Sequence, residues 1–424
     1  MAMSDARRAL MPAPTLPLVY FAAAHVALAV AAAVLMMHPD LPGAFHYHPR
    51  LIGVLHLVTL GWISGSIVGA FYIVAPLAFG MPFPARLGDH VACALFWAGT
   101  AGMVGGFWQA DYRSVGLASF GVIGAIGFVG ARACRGLLRA RLPYGVSVHV
   151  ALAFLNIVGA GSLGVLLTLA RSSALAGLSP VAVAAAHAHI AVLGWGVMMI
   201  VGVSYRLVPM FLPAAMPAGR GLVWSAILLE VGTLGVAWTV AAGGRTWPWA
   251  LVVVAGLAAF LRQVRGVVSN RRPRPVEMVG RDWATWQTHA AMLYLIVAVV
   301  IGLCLAAVPV PPAWQWTYGV AGIVGFVAQM VVGIQGRLLP IHAWYRAMSA
   351  LDGAPPPRST HRLADGRLTL SIFVLWLAAV PGLAIGLMRE EHAVITTSAA
   401  LLLASTVLQA VHMAMIARRA SRAY

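Results

Sequence analysis

The chain contains no lysine, and all 28 of its basic residues are arginine. Acids are scarce as well: Asp and Glu together number 11, and charged residues make up 9% of the 424, against about 25% in a soluble domain. So little charge excludes a soluble globular chain, and 61% hydrophobic residues point to an integral membrane protein. The net charge of +17 does not imply nucleic acid, because the arginines are scattered between apolar runs. The three cysteines, Cys93, Cys134 and Cys304, lie far apart with no metal-type spacing and read as small apolar fillers. No dinucleotide or phosphate-binding motif occurs, so no nucleotide partner and no ATP-driven pump is expected.

What the chain has is long apolar runs. A helix needs about 20 apolar residues to cross a bilayer, and twelve runs qualify: 16–37, 51–79, 90–109, 114–133, 144–170, 180–205, 221–242, 247–264, 284–308, 314–336, 368–388 and 393–417. The first is too long for a signal-peptide core and is read as a retained span. With the N-terminus in the cytoplasm and the chain alternating, the cytoplasmic side holds 23 of the 28 arginines. The outer side holds Arg50, Arg113, Arg171, Arg245 and Arg389. Positive residues stay inside, so this partition predicts an all-α protein with twelve transmembrane helices and both termini cytoplasmic, in contact with lipid as a multi-pass protein of a bacterial inner membrane.

The runs also repeat. His56-Leu-Val-Thr-Leu-Gly-Trp62 aligns with His189-Ile-Ala-Val-Leu-Gly-Trp195, and the register continues through Gly69 and Gly202, Tyr72 and Tyr205, and Pro76 and Pro209. A third copy places Gly325-Phe326 on Gly194-Trp195 and Arg337-Leu-Leu-Pro340 on Arg206-Leu-Val-Pro209. These copies fall in runs 2, 6 and 10. The single membrane domain therefore divides into three four-helix arcs, approximately 1–135, 136–275 and 276–424. Ligand sites in such proteins often lie at repeat interfaces.

Three four-helix arcs, with a histidine near the outer end of the second span, resemble subunit I of the haem-copper oxidase superfamily. That group includes cbb3-type oxidases, nitric oxide reductases and, more distantly, NnrS-like membrane haem and copper proteins. The resemblance implies that His56 is an axial ligand of a low-spin haem b, with copper as a second cofactor and a cytochrome or other redox subunit as partner. The departures are specific. Run 10 carries Tyr318 and Val320 where His187 and His189 stand in run 6, run 7 has no histidine, and no His-His pair occurs. The usual binuclear copper centre cannot be assembled from matching positions, and fold analogy does not make this chain an oxidase.

Residues i and i+2 of an α-helix point about 200° apart, so His187 and His189 suit two different sites. His56 and His189, in equivalent positions, are expected to face each other across runs 2 and 6 and to ligate a haem iron or copper between them. Buried histidines also simply hydrogen-bond neighbouring helices, but ionisable groups in membrane spans are functional by default. Trp62 and Trp195 are candidates to pack on the macrocycle. His38, His46 and His48 belong either to a solvated loop or to an outer metal site. His149 and His289 open runs 5 and 9 as equivalent helix-end residues. His25 and His412 stand alone and read as structural, while His342 sits at the interface.

Glu230 is the one acid deep within a run. It is a candidate proton relay, with Asn156, Gln329 and Gln335 as further links, or else a helix-to-helix hydrogen-bonding group. Arg206 and Arg337 read as anchors or as partners of an anionic ligand. Three functions stay open: a haem or copper protein in electron transfer or in nitric oxide or dioxygen chemistry; a haem- or copper-handling, tolerance or assembly factor without turnover; and a proton-coupled small-solute carrier.

Overall fold

A computed structural model describes residues 8–44, 47–169, 179–273, 281–351 and 359–421. Among these, twelve helices are long and apolar enough to cross a membrane. They are α1 (Leu16–Met37), α2 (Pro49–Leu77), α3 (Leu87–Gln109), α4 (Tyr112–Leu137), α5 (Tyr144–Leu169), α6 (Pro180–Phe211), α7 (Gly221–Ala242), α8 (Trp247–Ser269), α9 (Trp283–Ala307), α10 (Trp314–Ala350), α11 (Gly366–Arg389) and α12 (His392–Ser421). The protein is a multi-pass α-helical membrane protein. In lipid every backbone polar group must be satisfied internally, and a helix does so within one segment. Lipid supplies the solvent for side chains such as Leu117, Phe120, Trp238, Leu293 and Ile296, which all point outward.

Sequence punctuation sets the ends. Asp111, Asp282 and Asp365 cap α4, α9 and α11 through their carboxylates, each satisfying N–H groups that a helix start leaves unpaired. Ala110, Glu390 and Gly243 close α3, α11 and α7 in the left-handed conformation, which reverses the chain within a few residues. Two helices run well past their expected limits: α10 continues to Ala350 and α6 to Phe211. Their interior prolines, Pro340 and Pro209, do not end them. The segments beyond 336 and 205 are less apolar, which is why hydropathy alone stops short.

The three helices that carry the sequence repeat share a backbone irregularity. Each contains a π-helical stretch: Leu57–Ser64 in α2, Ile190–Val197 in α6 and Val320–Ala328 in α10. The first two begin directly after His56 and His189. Such stretches are rare and gather at functional sites. Within them lie Gly61, Gly194 and Gly325, at equivalent positions. A Cβ on any of the three would sit 2.5–2.7 Å from a side chain of a neighbouring helix: Ala27 of α1, Asn156 of α5 and Tyr294 of α9. The repeated glycine thus lets each of these helices press against the helix one before it in the chain.

The three also touch one another. Trp195 Nε1 of α6 donates to Ser64 Oγ of α2 at 3.0 Å, and Gln335 Nε2 of α10 donates to Ser66 Oγ of α2 at 2.9 Å. Arginines tie one end of the bundle. Arg132 pairs with the fully buried Asp89, which also accepts from Tyr72 Oη at 2.7 Å; Arg337 pairs with Asp282, and Arg419 with Asp365 at 2.8 Å. Arg206 Nε donates to the Ala78 carbonyl at 2.9 Å. Arg206 and Arg337 are thus engaged within the protein, as the anchoring reading of them expects.

Candidate functional site

His56 and His187 sit about eight residues, roughly 12 Å at 1.5 Å per residue, from the start of α2 and α6. Their rings face each other with centroids 6.4 Å apart and planes inclined by 27°. The expectation that His56 faces His189 is corrected here: its partner is His187. His189 turns to the other side of α6, where its ring lies 6.1 Å from that of Tyr318 in α10, at 28°. The 200° separation of i and i+2 survives because the α-helical stretch extends through His189 before the π segment begins.

The two ring pairs are related by the repeat. His56 and His189 hold one equivalent position; His187 and Tyr318 hold the position two residues earlier. Each pair joins the later position of one repeat-bearing helix to the earlier position of the next. Both earlier rings are seated over a glycine: a Cβ on Gly164 of α5 would lie 3.3 Å from His187, and one on Gly302 of α9 would lie 3.0 Å from Tyr318. The corresponding residues of the third interface, Val320 and Val54, are apolar.

Hydrogen bonds set the imidazole tautomers. His56 Nδ1 lies 2.8 Å from the Ile52 carbonyl, His187 Nδ1 2.8 Å from Ala160 O, and His189 Nδ1 2.8 Å from Ala185 O. A carbonyl only accepts, so each Nδ1 carries the proton and each Nε2 carries a lone pair, the state a metal-binding histidine needs. All three rings are partly exposed, and the Phe107 ring lies 5.1 Å from that of His56.

Other candidates fall elsewhere. Trp62 and Trp195 are buried in solid packing, Trp62 edge-on to His25 at 5.0 Å and Trp195 against Phe154 at 5.3 Å. Neither is placed against the imidazole pair. His46 lies outside the described residues. His48 precedes the first turn of α2, and His38 packs 6.1 Å from Trp108. Among the described residues no three His, Cys, Asp or Glu side chains cluster as ion ligands. Glu230 accepts from Asn156 Nδ2 at 2.7 Å. Gln335 bonds Ser66 instead, and the Gln329 carboxamide is buried without a partner, so no hydrogen bond joins these groups into one chain.

Five further histidines depart from expectation. His149 is fully buried and lies 3.1 Å from Ser225 Oγ, which in turn bonds Tyr205, whereas His289 is exposed beside Trp286. The packing counterpart of His149 is Thr288: the two fill the notches at Gly202 and Gly333. The sequence alignment of these two helices is therefore one residue off. His342 lies inside α10 rather than just past its end, and is buried by protein. His25 and His412, expected to be solitary, line a single cavity together; their separation of almost 390 positions hides this from any sequence pattern.

The fold and site define a multi-pass α-helical membrane protein with two imidazoles brought together from two of its helices. No protein-family model matches the chain, and no curated protein matches it.

Proposed function

We propose that this protein binds haem b between α2 and α6, with the Nε2 atoms of His56 and His187 as the two axial ligands, and that it serves electron transfer in a bacterial inner membrane. The observation carrying this reading is the imidazole pair. Two rings coordinating one ion from opposite sides, with metal–nitrogen bonds of about 2.0 Å, have centroids roughly 6 Å apart, and His56 and His187 stand at 6.4 Å. Among the described residues no third His, Cys, Asp or Glu joins the two imidazoles. That suits a group bringing its own equatorial ligands better than a copper ion needing three or four protein ligands.

Bound there, haem supplies one-electron chemistry. The chain's own contribution is orientation. The carbonyls of Ile52 and Ala160 hold both imidazoles in the ligating tautomer, and the Gly164 notch lets the His187 ring lie against α5. Haem held by both His56 and His187 would keep no position free for nitric oxide or dioxygen, which favours electron transfer or haem handling. The arc architecture, the cytoplasmic termini and the divergent relation to the haem-copper oxidase superfamily belong to the same reading, as does a cytochrome or other redox subunit as partner.

The test is purification followed by haem extraction and spectroscopy. The expected result is a Soret band with sharp low-spin bands on reduction, lost in His56→Ala. A colourless preparation from haem-replete cells overturns the reading. It would leave the carrier alternative, for which the Glu230–Asn156 bond between α7 and α5 is the motivating contact.

A further inference from the structure

Near the arginine-bound end, side chains from five helices converge on the cavity shared by His25 and His412: His25 of α1, Gln287 of α9, Gln335 of α10, Thr369 of α11, and Gln409 and His412 of α12. About 30 Å3 of it is open to water centres, room for roughly two water molecules. Gln287 is 2% exposed, and neither its carboxamide oxygen nor its nitrogen finds a partner in the protein. A buried amide left bare is costly, and ordered water is the usual remedy.

The two imidazoles are set in opposite senses. His25 Nδ1 donates to the Phe21 carbonyl at 2.7 Å, which leaves its lone pair on Nε2. His412 Nε2 accepts the Asp365 backbone N–H at 3.0 Å, which leaves its proton on Nδ1. One ring thus offers an acceptor and the other a donor. The two carboxylates at the starts of α9 and α11 are paired, Asp365 with Arg419 and Asp282 with Arg337. No carboxylate lines the cavity to hold a cation. The chemistry left is that of a small neutral molecule that both donates and accepts.

We infer that this cavity is a water-binding site that opens His25 to protons from the arginine-bound end of the bundle, by way of the Asp365–His412 corner. A hydrated proton reaching it adds to His25 Nε2: the N–H bond forms, an O–H bond of the donor breaks, and water remains in the cavity. The inference does not depend on haem, since no residue of this cluster belongs to the His56–His187 pair.

The experiment is magnetisation transfer from water to ring nitrogens in the full-length protein, 15N-labelled at histidine and held in lipid bilayers. His25 and His412 should receive it rapidly. His149, equally enclosed but bonded to Ser225, should not. Gln287→Met should abolish the transfer to His25 while leaving the His56 and His187 signals in place. Transfer to His25 in the wild type as slow as to His149 overturns the inference, and so does a Gln287→Met protein whose His25 transfer is unchanged. Should that variant not fold, the wild-type contrast decides.

Discussion

His56–His187 and His189–Tyr318 are two copies of one contact. Their centroid separations differ by 0.3 Å and their plane angles by 1°. Each joins equivalent positions of successive repeat-bearing helices, and each seats its earlier ring above a glycine of the preceding helix. They differ in one functional group: an imidazole nitrogen in the first pair, a phenol in the second. A neutral imidazole is a ligand at physiological pH, whereas a phenol with an ordinary pKa near 10 is not readily deprotonated. The repeat thus builds the contact twice, and one side chain decides which copy offers two imidazoles.

The sharpest way to break this comparison is His187→Ala, or its mirror His56→Ala. Under the proposed function either removes one of the two residues that would hold haem, and haem retention should fall by more than the 10–100-fold typical of losing a supporting residue, read as haem per chain after purification. Next comes Gly164→Leu. It crowds the His187 ring without touching a ligand and should weaken haem retention by about 10–100-fold. The matching Gly302→Leu should leave haem content intact and cost only about 1–3 kcal/mol of overpacking, seen as a lowered melting temperature. Tyr318→His sharpens the comparison by completing the second pair: haem per chain should rise above the wild-type value, and an unchanged ratio would mean that the second seat lacks room for the macrocycle. His189→Ala alone should leave the low-spin spectrum unaltered.

The smallest effect lies far from both pairs and serves as a control. The Arg419 guanidinium beside Asp365 holds its carboxyl below the usual carboxylate range. A lowered carboxyl pKa contributes stability above the ordinary value near 3.9, and this is lost as pH falls through the folded value. The pair is partly exposed, so its contribution is about 0.2–1 kcal/mol. Melting temperature should therefore decline slightly below about pH 4, equally with and without haem, and this decline should shrink in Arg419→Ala.

Much of the architecture was legible because it rests on counts and periods. Twelve apolar runs became twelve helices, since lipid rewards the same property that hydropathy measures. The repeat in runs 2, 6 and 10 reappeared as π-helical stretches and glycine notches at matching positions. The site was half legible. His56, His187 and His189 were identifiable as polar groups where lipid disfavours them, but their partners were not. Equivalent positions invite pairing His56 with His189, yet packed helices meet at staggered levels, so the contact runs to His187 instead. The one-residue offset between His149 and Thr288 escaped detection for a related reason: apolar segments align almost equally well in neighbouring registers, and only a glycine notch distinguishes them.

By itself the sequence determined that this is a membrane protein of twelve helices with a threefold echo and a few imidazoles at lipid depth, because composition and hydrophobic length act locally along the chain. Which imidazole meets which, that Trp62 and Trp195 pack away from them, and that His25 and His412 share one polar cavity were decided by tertiary structure alone. Those outcomes depend on how far one helix slides and turns against another. That freedom is resolved by glycine-sized gaps and hydrogen bonds between residues distant in the chain.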